Sequence, residues 1–286
     1  MCLACNTATQ KSVDMIKIKR GLDIPLAGAP VQELDMSLAT RAAALIGPDY
    51  FGMKPTMAVQ VGDVVKKGQL LFSDKKCEGV RYTAPAGGRV ASINRGAKRA
   101  FQSIVIEIDG DEAESFHQYT LESAMALSAD DIKQQMIQSG QWTAIKARPF
   151  GRVADPATIP SGLFITAIDT HPHAPDPEQV IARETDAFAL GQAVLANMVT
   201  CPVYLCAASG ADIPEADHER VSRHDFAGPH PAGLPGTHVH FLMGATSRRI
   251  AWIIGYQDVI AVGRLFLDGA LYTERVIAIA GPAASK

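Results

Sequence analysis

What is scarce in this sequence already excludes several classes of function. Cysteine occurs five times in 286 residues. The five are too few and too scattered for a disulfide framework, so the chain reads as one built for a reducing compartment. Iron–sulfur clusters need several thiolates at set spacing, which Cys77, Cys201 and Cys206 do not offer. Cys2 and Cys5 form a C-x-x-C, but no second pair follows at zinc-site spacing. Basic excess is lacking too. The 27 Lys and Arg face 30 Asp and Glu, for a net charge of −3, and this argues against a nucleic-acid binder. There is no G-x-G-x-x-G, no G-x-x-x-x-G-K-[ST] and no G-x-S-x-G, so dinucleotide, triphosphate and serine-hydrolase chemistry have no motif behind them. The amino terminus has no apolar signal-peptide core. The uncharged stretch from Ala187 to Ala211 is long enough for a bilayer, which takes about 20 residues. But it carries Gln192, Asn197, Thr200, Pro202 and Ser209. It reads as the end of a helix, a break at Cys201-Pro202 and a buried strand, not as a membrane span.

What is present is an ordinary folded composition, 47% apolar and 20% charged, long enough for two domains. Residues 1–14 show no periodicity and read as a disordered extension. Met15 to Lys19 alternates like a strand. From Thr56 to Asp109 the pattern is β, with Val59/Val61, Leu70/Phe72, Val90/Ile93 and Ile104/Ile106/Ile108 separated by turns at Gly62-Asp63, Lys66-Lys67-Gly68 and Ala84 to Gly88. Short strands with frequent turns predict a small barrel or sandwich. An acidic linker opens at Asp109-Gly110-Asp111.

Beyond the linker the period changes to 3.6. Ser128 caps a helix carrying Ile132, Met136 and Ile137 that Ser139-Gly140 ends, and Asp176-Pro177 starts another carrying Ile181, Phe188 and Leu195. Strands are predicted at 162–168, 203–208, 238–243 and 250–254, with a Gly/Pro/His-rich loop reaching Gly236 and a helix from Gln257 to Leu267 stopped near Gly269. Such alternation implies a layered α/β domain with a partly parallel sheet. Arg275 to Ala280 starts another apolar strand.

Two constellations invite chemistry. Val61 to Leu70, Asp74-Lys75-Lys76 and Ala84 to Gly88 resemble the half-barrels of biotinyl/lipoyl carrier domains, and Lys75 falls near the acylated lysine. The segment from Lys75 to Pro85 is longer than a carrier hairpin, and a second lysine crowds the site. Histidines stand at 171, 173, 218, 224, 230, 238 and 240. On a strand, His238 and His240 would share one face, a geometry metals use. No Cys, Asp or Glu accompanies them at ligand spacing, so no metal ligand is assigned. No catalytic, cofactor-binding or metal residue is named.

The segments Ile18 to Pro30, Asp49 to Thr56, Phe72 to Lys76, Ile93 to Arg99, Lys146 to Phe150, Ala167 to Thr170, Pro235 to Phe241, Ile254 to Ile260 and Arg275 to Pro282 together resemble the NqrA family. Its members are one of the subunits of the bacterial Na+-translocating NADH:quinone reductase. The resemblance covers residues 15 to 286 nearly without gaps. It implies an α+β chain: a biotinyl/lipoyl-like barrel-sandwich domain at 15–112, a Rossmann-like α/β domain at 113–272, and at 273–286 the start of a further domain cut short. It further implies a soluble, peripheral, quinone-associated subunit on the cytoplasmic side of the bacterial inner membrane. The other subunits and ubiquinone would be its partners, in a complex that couples NADH oxidation to sodium export. Distant relatives, RnfC and the flavin-binding subunit of respiratory complex I, cradle FMN in a glycine-rich loop. The corresponding stretch here, Arg148 to Pro156, holds the single glycine Gly151 among Phe150, Arg152 and Val153. The resemblance therefore implies no cofactor in this chain, ubiquinone being a substrate of the complex. A carrier modified at Lys75 is the alternative.

Overall fold

The computed structural model describes residues 15–35 and 37–284; the predicted extension at 1–14, with its C-x-x-C, lies outside the described residues. In chain order the strands are β1 (Ile16–Lys17), β2 (Ala42–Ile46), β3 (Pro55–Met57), β4 (Val64–Val65), β5 (Leu70–Asp74), β6 (Arg81–Thr83), β7 (Gly88–Arg95), β8 (Phe101–Ile108), β9 (Lys146–Arg148), β10 (Arg152–Val153), β11 (Gly162–Ala167), β12 (Val203–Ala208), β13 (Val221–Ala227) and β14 (Ala251–Gly255). The helices are α1 (Leu121–Met125), α2 (Ala129–Ser139), α3 (Pro177–Ala182), α4 (Thr185–Met198), α5 (Pro235–Leu242) and α6 (Tyr256–Asp268).

The first half is the expected barrel-sandwich. A sheet ordered β2-β8-β7-β4 packs against one ordered β3-β5-β6, around Val65, Leu71, Phe72, Tyr82, Val90, Ile104 and Ile106. The three-residue spacing of Val90 and Ile93 has a local cause. A register shift between Val90 and Ser92 inserts one residue, which returns Ile93 to the side Val90 faces. Val59 and Val61 lie between β3 and β4 and belong to neither strand.

The second half is a seven-stranded sheet, β1-β13-β12-β11-β14-β9-β10. The first five strands run parallel and the β9–β10 hairpin closes the far edge antiparallel. β1 comes from the amino-terminal end of the chain yet pairs with β13, so the two halves are interwoven. A continuous apolar core joins them through Trp142 and Ile145. The Thr83 hydroxyl donates to the Ser139 carbonyl (2.7 Å) at the joint. Gly140 ends α2 there at φ 82, and a Cβ on it would meet Thr83 Oγ1 at 2.3 Å, so only glycine allows this closeness.

Capping signals hold. Ser128 accepts from Asp131 N, and Asp176 accepts from Glu178 N ahead of Pro177. Gly269 ends α6 in the left-handed region. Four expectations change. The helix expected after Asp176 is two, α3 and α4, broken at Arg183-Glu184. The loop expected before Gly236 contains β13, whose polar Ser222, Arg223, His224 and Asp225 hide its strand character; Arg223 and Asp225 pair at 2.8 Å. The strand expected at 238–243 is helix α5. Pro235 opens it, and successive residues turn 100° rather than 180°. His238 is therefore fully buried while His240 is exposed, and the two do not share a face. Arg275 to Ala280 runs extended without joining a sheet.

Candidate functional site

In the parallel part of the sheet the chain runs outward from β11 to β12 and β13, then returns to place β14 on the other side of β11. Open α/β sheets bind ligands outside the carboxyl ends of their strands near such a reversal. At this edge a crevice of 410 Å³ is lined by Ala167, Asp169, His171, His173, Asp176 and Ala208, with Pro30 and Gln32 across it.

Two segments without regular structure cover this edge. The first, residues 20–34, is laid down by hydrogen bonds that join backbone groups to backbone and side chains. Leu22 N–H donates to His230 O (3.0 Å), His230 N–H to Asp23 Oδ1 (2.9 Å), His173 Nε2 to Leu26 O (3.2 Å) and Asp176 N–H to Gln32 Oε1 (3.1 Å). The second, residues 272–282, crosses the start of α6. The Gln257 amide bonds Val276 in both directions (2.9 and 2.8 Å), and Arg275 pairs with Asp258 (2.8 Å). The two segments meet where Gly281 N–H donates to Gly28 O (2.9 Å). Gly28 has φ 78, and a Cβ on it would meet Gly281 C at 2.4 Å. The start of α6 at the switch point is thus engaged by residues 272–282 of the same chain.

The structure brings three of the eight histidines, His171, His173 and His230, to this edge. His171 Nδ1 donates to Asp169 Oδ1 (2.6 Å), its ring lies 5.3 Å from that of His230, and His230 Nδ1 contacts Thr170 Oγ1 (3.0 Å). The others are dispersed. His218 bonds Asn197, His224 bonds Ser222, and buried His238 donates to the Ala232 carbonyl (2.8 Å). Burial holds the His238 imidazole neutral, its pKa pushed down to about 4. Among the described residues no three His, Cys, Asp or Glu side chains are arranged to hold a metal ion.

Lys75 is exposed in the turn of the β5–β6 hairpin, its backbone N–H tied to Lys54 O at 2.9 Å. The stretch Arg148 to Pro156 folds as the β9–β10 hairpin, with Gly151 at φ 68 in its turn. A phosphate cradle needs a loop that opens a helix, so that free N–H groups point at the ligand; this loop leads into a strand.

Sequence reasoning missed a second place. Lys146, at the start of β9, sets its ammonium 4.5 Å from the centroid of the Tyr50 ring, which comes from the barrel. Burial lowers the Lys146 pKa to about 8, against opposing pulls from Asp258 and Asp49. Burial raises that of Tyr50 to about 12, assisted by Asp49 and Asp258. Perturbed groups of this kind gather at functional sites. The only sequence signal was that both residues lie in segments carrying the family resemblance.

Comparison with known proteins agrees with the architecture. Residues 16–109 match the family described as the NqrA N-terminal barrel-sandwich hybrid domain, and residues 127–271 match the NqrA second alpha/beta domain. The chain belongs to the NqrA family. Similar relatives, each named as a Na(+)-translocating NADH-quinone reductase subunit, include one from Pseudomonas aeruginosa (strain UCBPP-PA14). It is 53% identical over 272 residues, 95% of this chain and 61% of the relative. The relative from Shewanella amazonensis is 52% identical over the same shares, and that from Yersinia pseudotuberculosis is 48% identical over 94% of this chain and 60% of its own length. The chain thus spans about three fifths of the NqrA relatives it matches. Among the described residues, no helix is long and apolar enough to cross a membrane.

Proposed function

We propose that this chain serves as the quinone-associated, redox-silent part of a Na+-translocating NADH:quinone reductase. It would sit peripherally on the cytoplasmic face of the bacterial inner membrane, held there by the other subunits, while the complex passes electrons from NADH to ubiquinone and exports sodium. The observation that carries the redox-silent part is the occupied edge of the sheet. Where a doubly wound domain holds a nucleotide, this chain lays its own residues 20–34 and 272–282, and the loop corresponding to the FMN cradle of distant relatives is a β-hairpin. The relatives' printed name supports the complex. We read the domains as 15–112 and 113–272, with strand β1 of the first lent to the sheet of the second. The purified chain is expected to be colourless and to bind neither FMN nor NADH in calorimetry; stoichiometric flavin absorbance would sink this reading. Membranes lacking the chain are expected to lose sodium-dependent quinone reduction.

One observation favours a second reading, a lipoyl or biotinyl carrier. Lys75 is exposed in a hairpin turn of a barrel-sandwich domain. Intact mass separates the two. Acylation adds a discrete increment that Lys75→Arg abolishes, and an unmodified mass from a host with active ligases rejects the carrier.

A further inference from the structure

The barrel is electrically polar along its strands. At one end lie the loop from β2 to β3, the β5–β6 turn and the β7–β8 tip, because β2, β5 and β7 all finish there and β3, β6 and β8 all begin there. These loops carry Lys54, Lys75, Lys76, Arg95, Lys98 and Arg99 against only Asp49 and Glu78. The Asp74 carboxylate is turned inward, accepting from the N–H groups of Lys54 and Lys76 (both 2.9 Å), which sets those lysines side by side. Lys98 and Arg99 are held at φ 54 and 60, strained for residues with a Cβ, and they project from the β7–β8 tip. The β9–β10 hairpin adds Arg152, stacked 5.6 Å from the Phe51 ring. None of these seven cations is in an ion pair among the described residues. Apolar side chains stand among them: Phe51 is 64% exposed, Phe150 56% and Ile46 41%. The other end of the barrel receives the acidic linker, with Asp109, Asp111, Glu112 and Glu114. In a chain of net charge −3, this concentration of unpaired cations around exposed rings is local and specific.

We infer that this pole is a docking surface for an anionic lipid surface, the cations meeting phosphate headgroups while Phe51 and Phe150 enter the interface. Phe side chains on a membrane-facing surface bury at the boundary of headgroups and acyl chains, and each basic residue held near anionic lipid strengthens binding by roughly fivefold. The surface is assembled from loops distant in sequence, so it carries no amphipathic-helix signature. It stands on this chain's own surface and does not depend on the reading of the complex; either can fail alone.

The test is sedimentation of the 286-residue chain with vesicles. Binding is expected to vesicles rich in phosphatidylglycerol and not to pure phosphatidylcholine, with release at roughly 0.5 M salt as screening shortens the reach of the charges. Lys75→Gln, Lys76→Gln and Lys98→Gln together are expected to weaken binding about a hundredfold. Arg41→Gln, Lys66→Gln and Lys67→Gln, which remove the same charge at the other end, are expected to change it little. Phe51→Ala with Phe150→Ala should lower affinity while leaving the salt dependence intact. No binding to the anionic vesicles at low salt, equal binding to neutral ones, or equal loss in both triple variants would overturn the proposal. The salt titration of the unaltered chain decides even where a variant fails to fold.

Discussion

The two faces of the seven-stranded sheet are built to different standards. On one, Leu163, Ile165, Ala167, Val203, Leu205, Ala207, Trp252 and Ile254 form a buried apolar layer under α4 and α6, with the Arg223–Asp225 pair at its β13 edge. Pairing register puts Phe164, Thr166, Tyr204, Cys206, Ser222, His224, Ile253, Lys146 and Arg148 on the other. That face has the eight-residue α5 as its helix; Thr166 Oγ1 and Arg148 Nε are buried on it without partners, as Trp252 Nε1 is on the first. The first face is made for cohesion. The second retains polar and titratable groups that cohesion alone does not require, and it is continuous with the place where Lys146 meets Tyr50.

The largest expected effect tests the cohesive face. α4 and α6 cross through two glycines. A Cβ on Gly263 would meet the Ala187 carbonyl oxygen at 1.9 Å, and one on Gly191 would meet that of Val259 at 2.1 Å. Backbone cannot yield as a side chain can, so Gly263→Val should cost roughly 4 kcal/mol, read by urea denaturation. On the opposite face, Gly236 in α5 has nothing within 4 Å of its missing Cβ. Gly236→Ala should be neutral or stabilise by up to about 1 kcal/mol. Similar losses at both glycines would erase the distinction between the faces.

A second contrast lies in pH. His238 sits under the polar face against the Phe226 ring, 4.4 Å between centroids, with Nδ1 unpartnered. Its folded pKa of about 4 lies below the ordinary histidine value of 6.5, so the unfolded chain takes up the proton first as pH falls. The stability held by the neutral imidazole is complete above pH 6.5 and is lost as pH falls from there toward 4. The loss approaches about 3 kcal/mol. His238→Gln should flatten that part of the stability curve; an unchanged slope would mean that the imidazole is hydrated in solution.

Much of the cohesive face could be read in the sequence, because continuous apolar runs such as Leu163 to Ala167 and a cap such as Asp176-Pro177 act locally. The polar face resisted for physical reasons. β13 is a strand by virtue of its neighbours β12 and β1, not of its own residues, so Ser222 and His224 looked like loop. The Thr-His-Val-His run of α5 alternates in a way that mimics a strand. Neither the crevice nor its covering was legible, since residues 20–34 and 272–282 meet partners far away in the sequence, several of them through backbone groups that any sequence possesses. The meeting of Lys146 with Tyr50 joins two domains across nearly a hundred residues, and no periodicity records such a contact.

The smallest expected effect concerns Lys146, and its sign decides whether the polar face is kept at the expense of stability. The folded pKa of about 8 lies below the ordinary lysine value of 10.5, with burial the first cause. Above pH 10.5 the amine is neutral in both states and folding bears no penalty; the penalty grows as pH falls toward 8 and is complete below it. The cation's contact with the Tyr50 ring and its residual exposure offset part of this. Lys146→Met should therefore stabilise the chain at pH 7 by about 1–2 kcal/mol, an advantage that shrinks above pH 8 and vanishes near 10.5. A gain of that form would mark Lys146 as a residue retained for what it does rather than for what it holds together. A loss at pH 7 would show the ammonium fully compensated by its surroundings, and the polar face would then be as cohesive as the apolar one.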